Sequence, residues 1–178
     1  MLFQLGSRPP IGKVGEVVEV GELLAACHGR IRRFLDLAAR LATTSNAGAP
    51  EVRETAGQIR RYFAEALPLH IADEDELIAP RLAGRSAELD ATLATMHADH
   101  ADHASLVDRV IDLCAGLHRD PDLRATHAAA LAEAAAALRG AFEPHLALEE
   151  RVVFPAISAL PAAERRAIEE GMRRRRET

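Results

Sequence analysis

The sequence predicts an all-α protein, an up-down-up-down antiparallel four-helix bundle with an N-terminal arm and a short C-terminal helix. Three observations carry that expectation. Apolar residues recur about every 3.5 residues along four long stretches. Those stretches are rich in Ala and Leu, the best helix formers; at 48% hydrophobic but only 3% aromatic, the chain must build an aliphatic core. The breaks between them are short and made of Gly, Pro, Ser, Asn and Asp, which suits antiparallel neighbours. A dimer of two-helix hairpins is the other arrangement such loops permit.

The elements follow in order. "MLFQLGSRPPIGKVG" is dense in Gly and Pro and reads as an arm over residues 1–16. The first helix is expected from about Val17 to Ala42, with the stripe Leu24, His28, Ile31, Leu35 and Ala38. "TTSNAGAP" interrupts it. The second helix is expected from Glu51 to Ile78, with the stripe Ile59, Phe63, Leu67, His70, Glu74 and Leu77, and Pro80 as its stop. The third runs from about Ala87 to Leu117, with Leu89, Leu93, Met96, His100, His103, Val107, Val110 and Cys114 inward. "HRDPD" turns, with Asp122 as the expected cap. The fourth reaches Phe154 through Leu131, Ala135, Leu138, Phe142, His145, Glu149 and Val152, with Pro155 as its stop. A short helix follows Pro161. The expected organisation is an arm at 1–16, a bundle at 17–156, and a C-terminal helix and tail at 157–178.

Composition narrows the function. The net charge of −5 disfavours nucleic acid as a partner, because phosphate backbones require a basic face. The run Arg173 to Arg176 reads as a solvated helix end, where cations suit the helix dipole. Cys27 and Cys114 form neither a disulfide framework nor a zinc motif. No signal-peptide pattern or long uninterrupted apolar run is visible, so no membrane span is expected and the expected compartment is the cytoplasm.

The stripes carry the chemistry. "HIADEDELIAP" at 70–80 is echoed 75 residues later by "HLALEERVVFP" at 145–155. In each copy a His precedes a Glu by four residues, which stacks the two side chains on one helix face. That face is the inward one, and the other two stripes carry His28 and His100. One histidine on an apolar face is ordinarily a hydrogen-bonded core residue. Four of them with two carboxylates are different, since an unpaired buried carboxylate costs several kcal/mol. No Lys or Arg lies on the stripes to neutralise them, so a metal is the economical counter-charge. Imidazole and carboxylate suit iron, manganese or zinc. Six groups are too many for one tetrahedral zinc; they suit two metals, each Glu bridging, with room for a small ligand on each ion. The Glu-x-x-His order of ferritin-like sites is absent.

Taken together, His28 in "LLAACHGRIRRFL", His70 and Glu74 in "HIADEDELIAP", His100 in "MHADHADHASL", and His145 and Glu149 in "HLALEERVVFP" resemble the hemerythrin-like, or HHE cation-binding, family over roughly residues 20–156. The resemblance implies two iron ions with an oxo or hydroxo bridge inside a four-helix bundle, with His28, His70, Glu74, His100, His145 and Glu149 as ligands. It implies a protein that binds or senses oxygen, nitric oxide, or iron and redox state. A di-iron redox enzyme acting on peroxide, nitric oxide or a small substrate is the alternative, and a helical interaction module is a third. The chain is also similar to the di-iron domain of iron–sulfur cluster repair proteins, without their Cys-containing N-terminal segment.

Two departures stand out. Oxygen carriers of the family have His-x-x-x-His on the third helix and an Asp in place of the second Glu; here Met96 and Ala104 flank His100 at that spacing. Pro144 precedes His145, and Pro68 stands near His70, so a kink is expected at each ligand turn. Among the remaining polar residues, His103 is expected beside the site, and His97, His118 and His127 at the rim or in solvent. Asp73 is expected to point away from the stripe and Tyr62 to lie on a helix flank. Asp75 and Glu150 are expected in solvent without a role.

Overall fold

A computed structural model describes residues 19–177; the arm expected at 1–16 lies outside them. The described chain is all-α, with no strand among the described residues. Helix α1 is Val20–Thr43. Helix α2 spans residues 49–82 and α4 spans residues 124–158, each as a series of α and π segments. Helix α3 is Ala87–Arg119 and α5 is Ala162–Arg175. α1 packs against α2 and α4, and α3 packs against the same two, which closes the four-helix ring. α5 lies over the α2 turn at Asp73–Ile78.

Local signals set the joints. Ser86 caps α3 by accepting from the Leu89 amide at 3.1 Å. Before it, Gly84 turns the chain at φ 77°, a left-handed conformation that favours glycine. Between α3 and α4 the capping side chain is Asp120, which accepts from the Asp122 amide; the expected cap, Asp122, instead sits inside a 3₁₀ turn at Pro121–Leu123.

The core is split into two aliphatic layers. One contains Ile31, Leu35, Ile59, Phe63, Leu67, Val110, Cys114, Leu131 and Leu138. The other contains Leu24, Ile78, Leu82, Met96, Val153, Ile157, Ile168 and Met172. Along every bundle helix the polar stripe positions fall between the two layers, so His28, His70, Glu74, His100, His145 and Glu149 form a belt across the middle.

The prolines act differently from the stop signals expected. α2 continues through Pro80 to Leu82, and α4 through Pro155 to Ser158. In each case a π segment ends two residues earlier, at Asp73–Ile78 and Glu149–Val153; Tyr62–Ala66 stands in the same relation to Pro68. The amides of Leu67, Ala79 and Phe154 each reach back five residues, to Tyr62, Glu74 and Glu149. Proline lacks the amide and its ring crowds the carbonyl four residues back. The wider π turn makes room for it, so the helix proceeds instead of ending. The same turn moves the inward register. Ile78 and Val153 are buried behind the two glutamates, whereas the expected Leu77 and Val152 are only half-buried.

Pro144 has no such turn and sits inside the α-helical segment Arg124–Leu148. The distortion expected there falls instead at Glu149–Val153. Since Pro144 is exposed and lacks this accommodation, Pro144→Ala should stabilise the fold by about 1–2 kcal/mol, net of the entropy regained by the unfolded chain. Urea denaturation checks this, and an unchanged or lower midpoint would contradict it.

Candidate metal centre

Four helices each deliver one imidazole to the belt, and α2 and α4 each add a carboxylate. Glu149 lies between two histidines: Oε2 is 2.9 Å from His28 Nε2, and Oε1 is 2.9 Å from His145 Nε2. Glu74 repeats the arrangement, with Oε1 3.1 Å from His70 Nε2 and Oε2 3.3 Å from His100 Nε2. Two overlapping groups result, His28–His70–Glu74–Glu149 and Glu74–His100–His145–Glu149. Within each, the donor atoms lie within 4.8 Å of one another, and both glutamates belong to both groups. All six residues named from the sequence are thereby brought together.

The donor set fits a metal on a further observation. His28 Nε2, His100 Nε2, Glu74 Oε2 and both Glu149 oxygens are buried without a hydrogen-bond partner, although each faces another polar atom closely. Buried polar atoms are nearly always satisfied. Nitrogen and oxygen lone pairs converging without hydrogen-bond geometry are what a cation between them would satisfy. Each carboxylate presents one oxygen to each neighbouring imidazole, which suits a bridge between two ions.

The charges of the bare site are strained. Burial pushes the Glu74 carboxyl well above its ordinary range, and the nearby Glu149 charge adds to the rise. Burial acts on Glu149 too, but the imidazoles of His145 and His28 outweigh it and hold it low. The two carboxyls are thus driven apart, one towards neutral and one ionised. Burial pushes His70 down to about 3 and lowers His100 as well. Burial lowers His145 also, but Glu149 and Asp99 more than offset it, so its pKa rises.

A second ring of carboxylates orients the imidazoles. His28 Nδ1 donates to Glu150 Oε1 at 2.9 Å, and Arg32 Nη1 holds the same oxygen at 2.8 Å. His145 Nδ1 donates to Asp99 Oδ2 at 3.1 Å. His100 Nδ1 lies 3.3 Å from Asp75 Oδ1. A proton held on Nδ1 leaves Nε2 bare and aimed inward. Asp75 and Glu150, expected in solvent without a role, are only partly exposed: Glu150 bonds the His28 imidazole, and Asp75 lies beside that of His100. The signal was present, since each copy of the repeated phrase carries an acidic residue directly after its Glu. Asp99 carries no comparable signal, because only the packing of α3 on α4 brings it to His145.

Asp73 also differs from expectation. It is fully buried, and it accepts from Arg175 Nε at 3.0 Å and Arg176 Nη2 at 2.6 Å. Arg175 also reaches Glu76 at 2.8 Å. The arginine run read as a solvated end therefore clamps the turn that bears Glu74. Gly171 allows α5 this close, since a Cβ there would stand 2.9 Å from Leu77 Cδ1.

Other residues behave more nearly as expected. His103 is buried against Phe142 and His145 but belongs to neither donor group. His97 is exposed at the rim, 3.5 Å from Asp75. His118 bonds the Arg53 carbonyl, and His127 meets the Thr126 hydroxyl. Tyr62 is buried and stacked on Phe34 at 4.1 Å, not placed on an open flank.

The hemerythrin HHE cation-binding domain model matches residues 20–125 and again 101–177. The chain belongs to this family. The bundle and its buried His and Glu groups are accordingly those of a hemerythrin-like domain, compatible with metal binding. Uncharacterized proteins of Mycobacterium bovis and of two strains of Mycobacterium tuberculosis are similar to this hemerythrin-like chain, each 32% identical over 143 residues. The match covers 76% of this chain and 52% of each relative, so the chain spans about half the length of the curated relatives it matches.

Two outcomes follow for this belt and its clamp. Asp73→Ala leaves two arginines without their buried acceptor and should destabilise the fold by about 2–4 kcal/mol, read from the denaturation midpoint; a change within experimental error would show that the clamp is idle. In metal-free protein, neutral His70 stabilises the folded state only while the unfolded chain is also neutral. As pH falls below about 6.5 the unfolded chain takes up a proton that folded His70 resists until about 3. The wild type should therefore lose stability relative to His70→Asn by up to about 1.4 kcal/mol per pH unit across that window, and a pH-independent difference would refute the burial argument.

Proposed function

We propose that this chain holds a dinuclear iron centre and uses it to bind or sense a small molecule such as oxygen or nitric oxide, or to report iron or redox state. His28, His70, Glu74, His100, His145 and Glu149 are the proposed ligands, with the two glutamates as bridges and an oxo or hydroxo group between the ions; manganese or zinc would also suit the donors. The observation that carries the reading is the pair of carboxylates, each set between two imidazoles, with one oxygen of Glu74 and both of Glu149 buried and unsatisfied.

Bound ions would supply Lewis acidity and reversible electron transfer at the centre of the bundle. The chain supplies the rest. The two aliphatic layers exclude water on either side of the belt. Glu150 and Asp99 hold protons on Nδ1 of His28 and His145, and Asp75 faces the same atom of His100. No helix is long and apolar enough to cross a membrane. Cytoplasmic residence belongs to the proposal and is supported by two free cysteines, Cys27 and Cys114.

The alternative of a di-iron redox enzyme acting on a small substrate is favoured by one feature, a groove against His100 and His103. Untagged protein should carry about two metal ions per chain by elemental analysis; fewer than one would count heavily against the centre. Spectra on adding oxygen, nitric oxide and peroxide separate the readings, since a stable reversible adduct indicates binding and bleaching with product indicates turnover. Glu74→Gln sharpens the test. In metal-free protein the amide replaces a carboxyl that burial drives towards neutral, so stability should hold or rise. The stabilisation gained on adding metal should vanish. A large loss of metal-free stability would assign Glu74 to structure instead.

A further inference from the structure

The six donors of the belt divide evenly, but their surroundings do not. His28 on α1 and His70 on α2 belong to one group, His100 on α3 and His145 on α4 to the other, and Glu74 and Glu149 are common to both. By donor type the two halves are identical. A difference between them has to come from what stands behind the imidazoles.

Behind the α3–α4 half stand two carboxylates. Asp99 Oδ2 accepts from His145 Nδ1 at 3.1 Å, and Asp75 Oδ1 lies 3.3 Å from His100 Nδ1. Among the described residues the ion-pair partners of these two acids are histidines alone, the other being His97, 3.5 Å from Asp75. The α1–α2 half is poorer. Glu150 Oε1 accepts from His28 Nδ1, but Arg32 Nη1 holds that same oxygen at 2.8 Å. Arg32 also bonds Glu143 at 3.1 Å, and Glu143 lies 3.9 Å from Arg139, so Glu150 ends a chain of alternating charge. His70 has no carboxylate behind it, since its Nδ1 is buried without a hydrogen-bond partner. Asp75, Asp99 and Glu150 are 29%, 31% and 37% exposed, so water screens them alike and does not cancel the contrast.

A carboxylate at one imidazole nitrogen makes the other a better metal donor, an effect of about 10–100-fold in affinity. A guanidinium on that carboxylate takes back part of the gain and repels a cation nearby. A ligating His70 would further hold its Nδ1 proton without an acceptor. We propose that the two ion positions are unequal: the one served by His100 and His145 is held firmly, and the one served by His28 and His70 is exchangeable, filled last and emptied first. This rests on the dinuclear reading above and gives the reporting of iron supply a place in the molecule, the α1–α2 half.

Cobalt(II) added to the metal-free full chain, followed by calorimetry and visible absorption, tests the inequality. Two uptake steps are expected, the first at least about tenfold tighter. Asp99→Asn should weaken the tighter step at least about tenfold and bring the two together. Arg32→Gln should leave the tighter step alone and tighten the weaker one by up to about fivefold. A purely structural role for either residue would move both steps alike. Two cobalt ions bound with equal affinity, or either substitution acting on both steps or on the opposite one, would overturn the proposal and leave the dinuclear reading standing. Uptake of a single cobalt per chain would remove the dinuclear reading; the preference would survive if Asp99→Asn weakens that one ion and fall if it does not. No uptake at all would overturn both.

Discussion

Two carboxylates lie in the middle of an aliphatic bundle, and most of the arrangement around them answers that fact. Glu74 and Glu149 are almost wholly buried, and desolvation acts against the charge on both. A bundle of Leu and Ala offers nothing to compensate them. Each helix therefore contributes an imidazole at the one level where the carboxylates sit, and the hydrophobic layers part on either side. Without a cation the belt keeps unsatisfied atoms, and its two acids cannot both remain comfortably ionised.

The repeated eleven-residue phrase has a more specific meaning than a pair of ligands. In each copy the Glu and the acidic residue after it address the same imidazole on a neighbouring helix. Glu149 faces His28 Nε2 while Glu150 takes its Nδ1. Glu74 faces His100 Nε2 while Asp75 lies at its Nδ1. Two adjacent residues on one helix thus face both edges of a ring on another. In both copies the Glu and the acid belong to a π segment. The proline at the end of each phrase sits two residues beyond that segment, so it goes with the local geometry that presents the pair.

What could be read from the sequence divides along a physical line. The four helices and the inward histidines and glutamates were legible because polar residues on an apolar stripe break a periodic pattern. Anything set by the register between helices was not. Asp99 meets His145, and Arg175 and Arg176 meet Asp73, only because particular turns of separate helices fall side by side. The π turns escaped for a different reason. A hydrogen bond displaced by one residue changes the inward stripe only from Leu77 to Ile78 and from Val152 to Val153, and both choices are apolar. Pro80 and Pro155 were visible, but their usual role as terminators concealed a wider turn that lets the helix pass.

The clamp on Asp73 also bears on how the molecule reaches this state. The pairs that finish the belt are far apart along the chain: His28 with Glu150 is separated by 122 residues, and Asp73 with Arg175 by 102. Helical hairpins form from local contacts and are quick, whereas closing loops of that length is slow. The turn bearing Glu74 is therefore supported by a contact that no single hairpin supplies. Residues near the end of the described chain act as a latch, and they fasten the centre across the bundle, not within one pair of neighbouring helices.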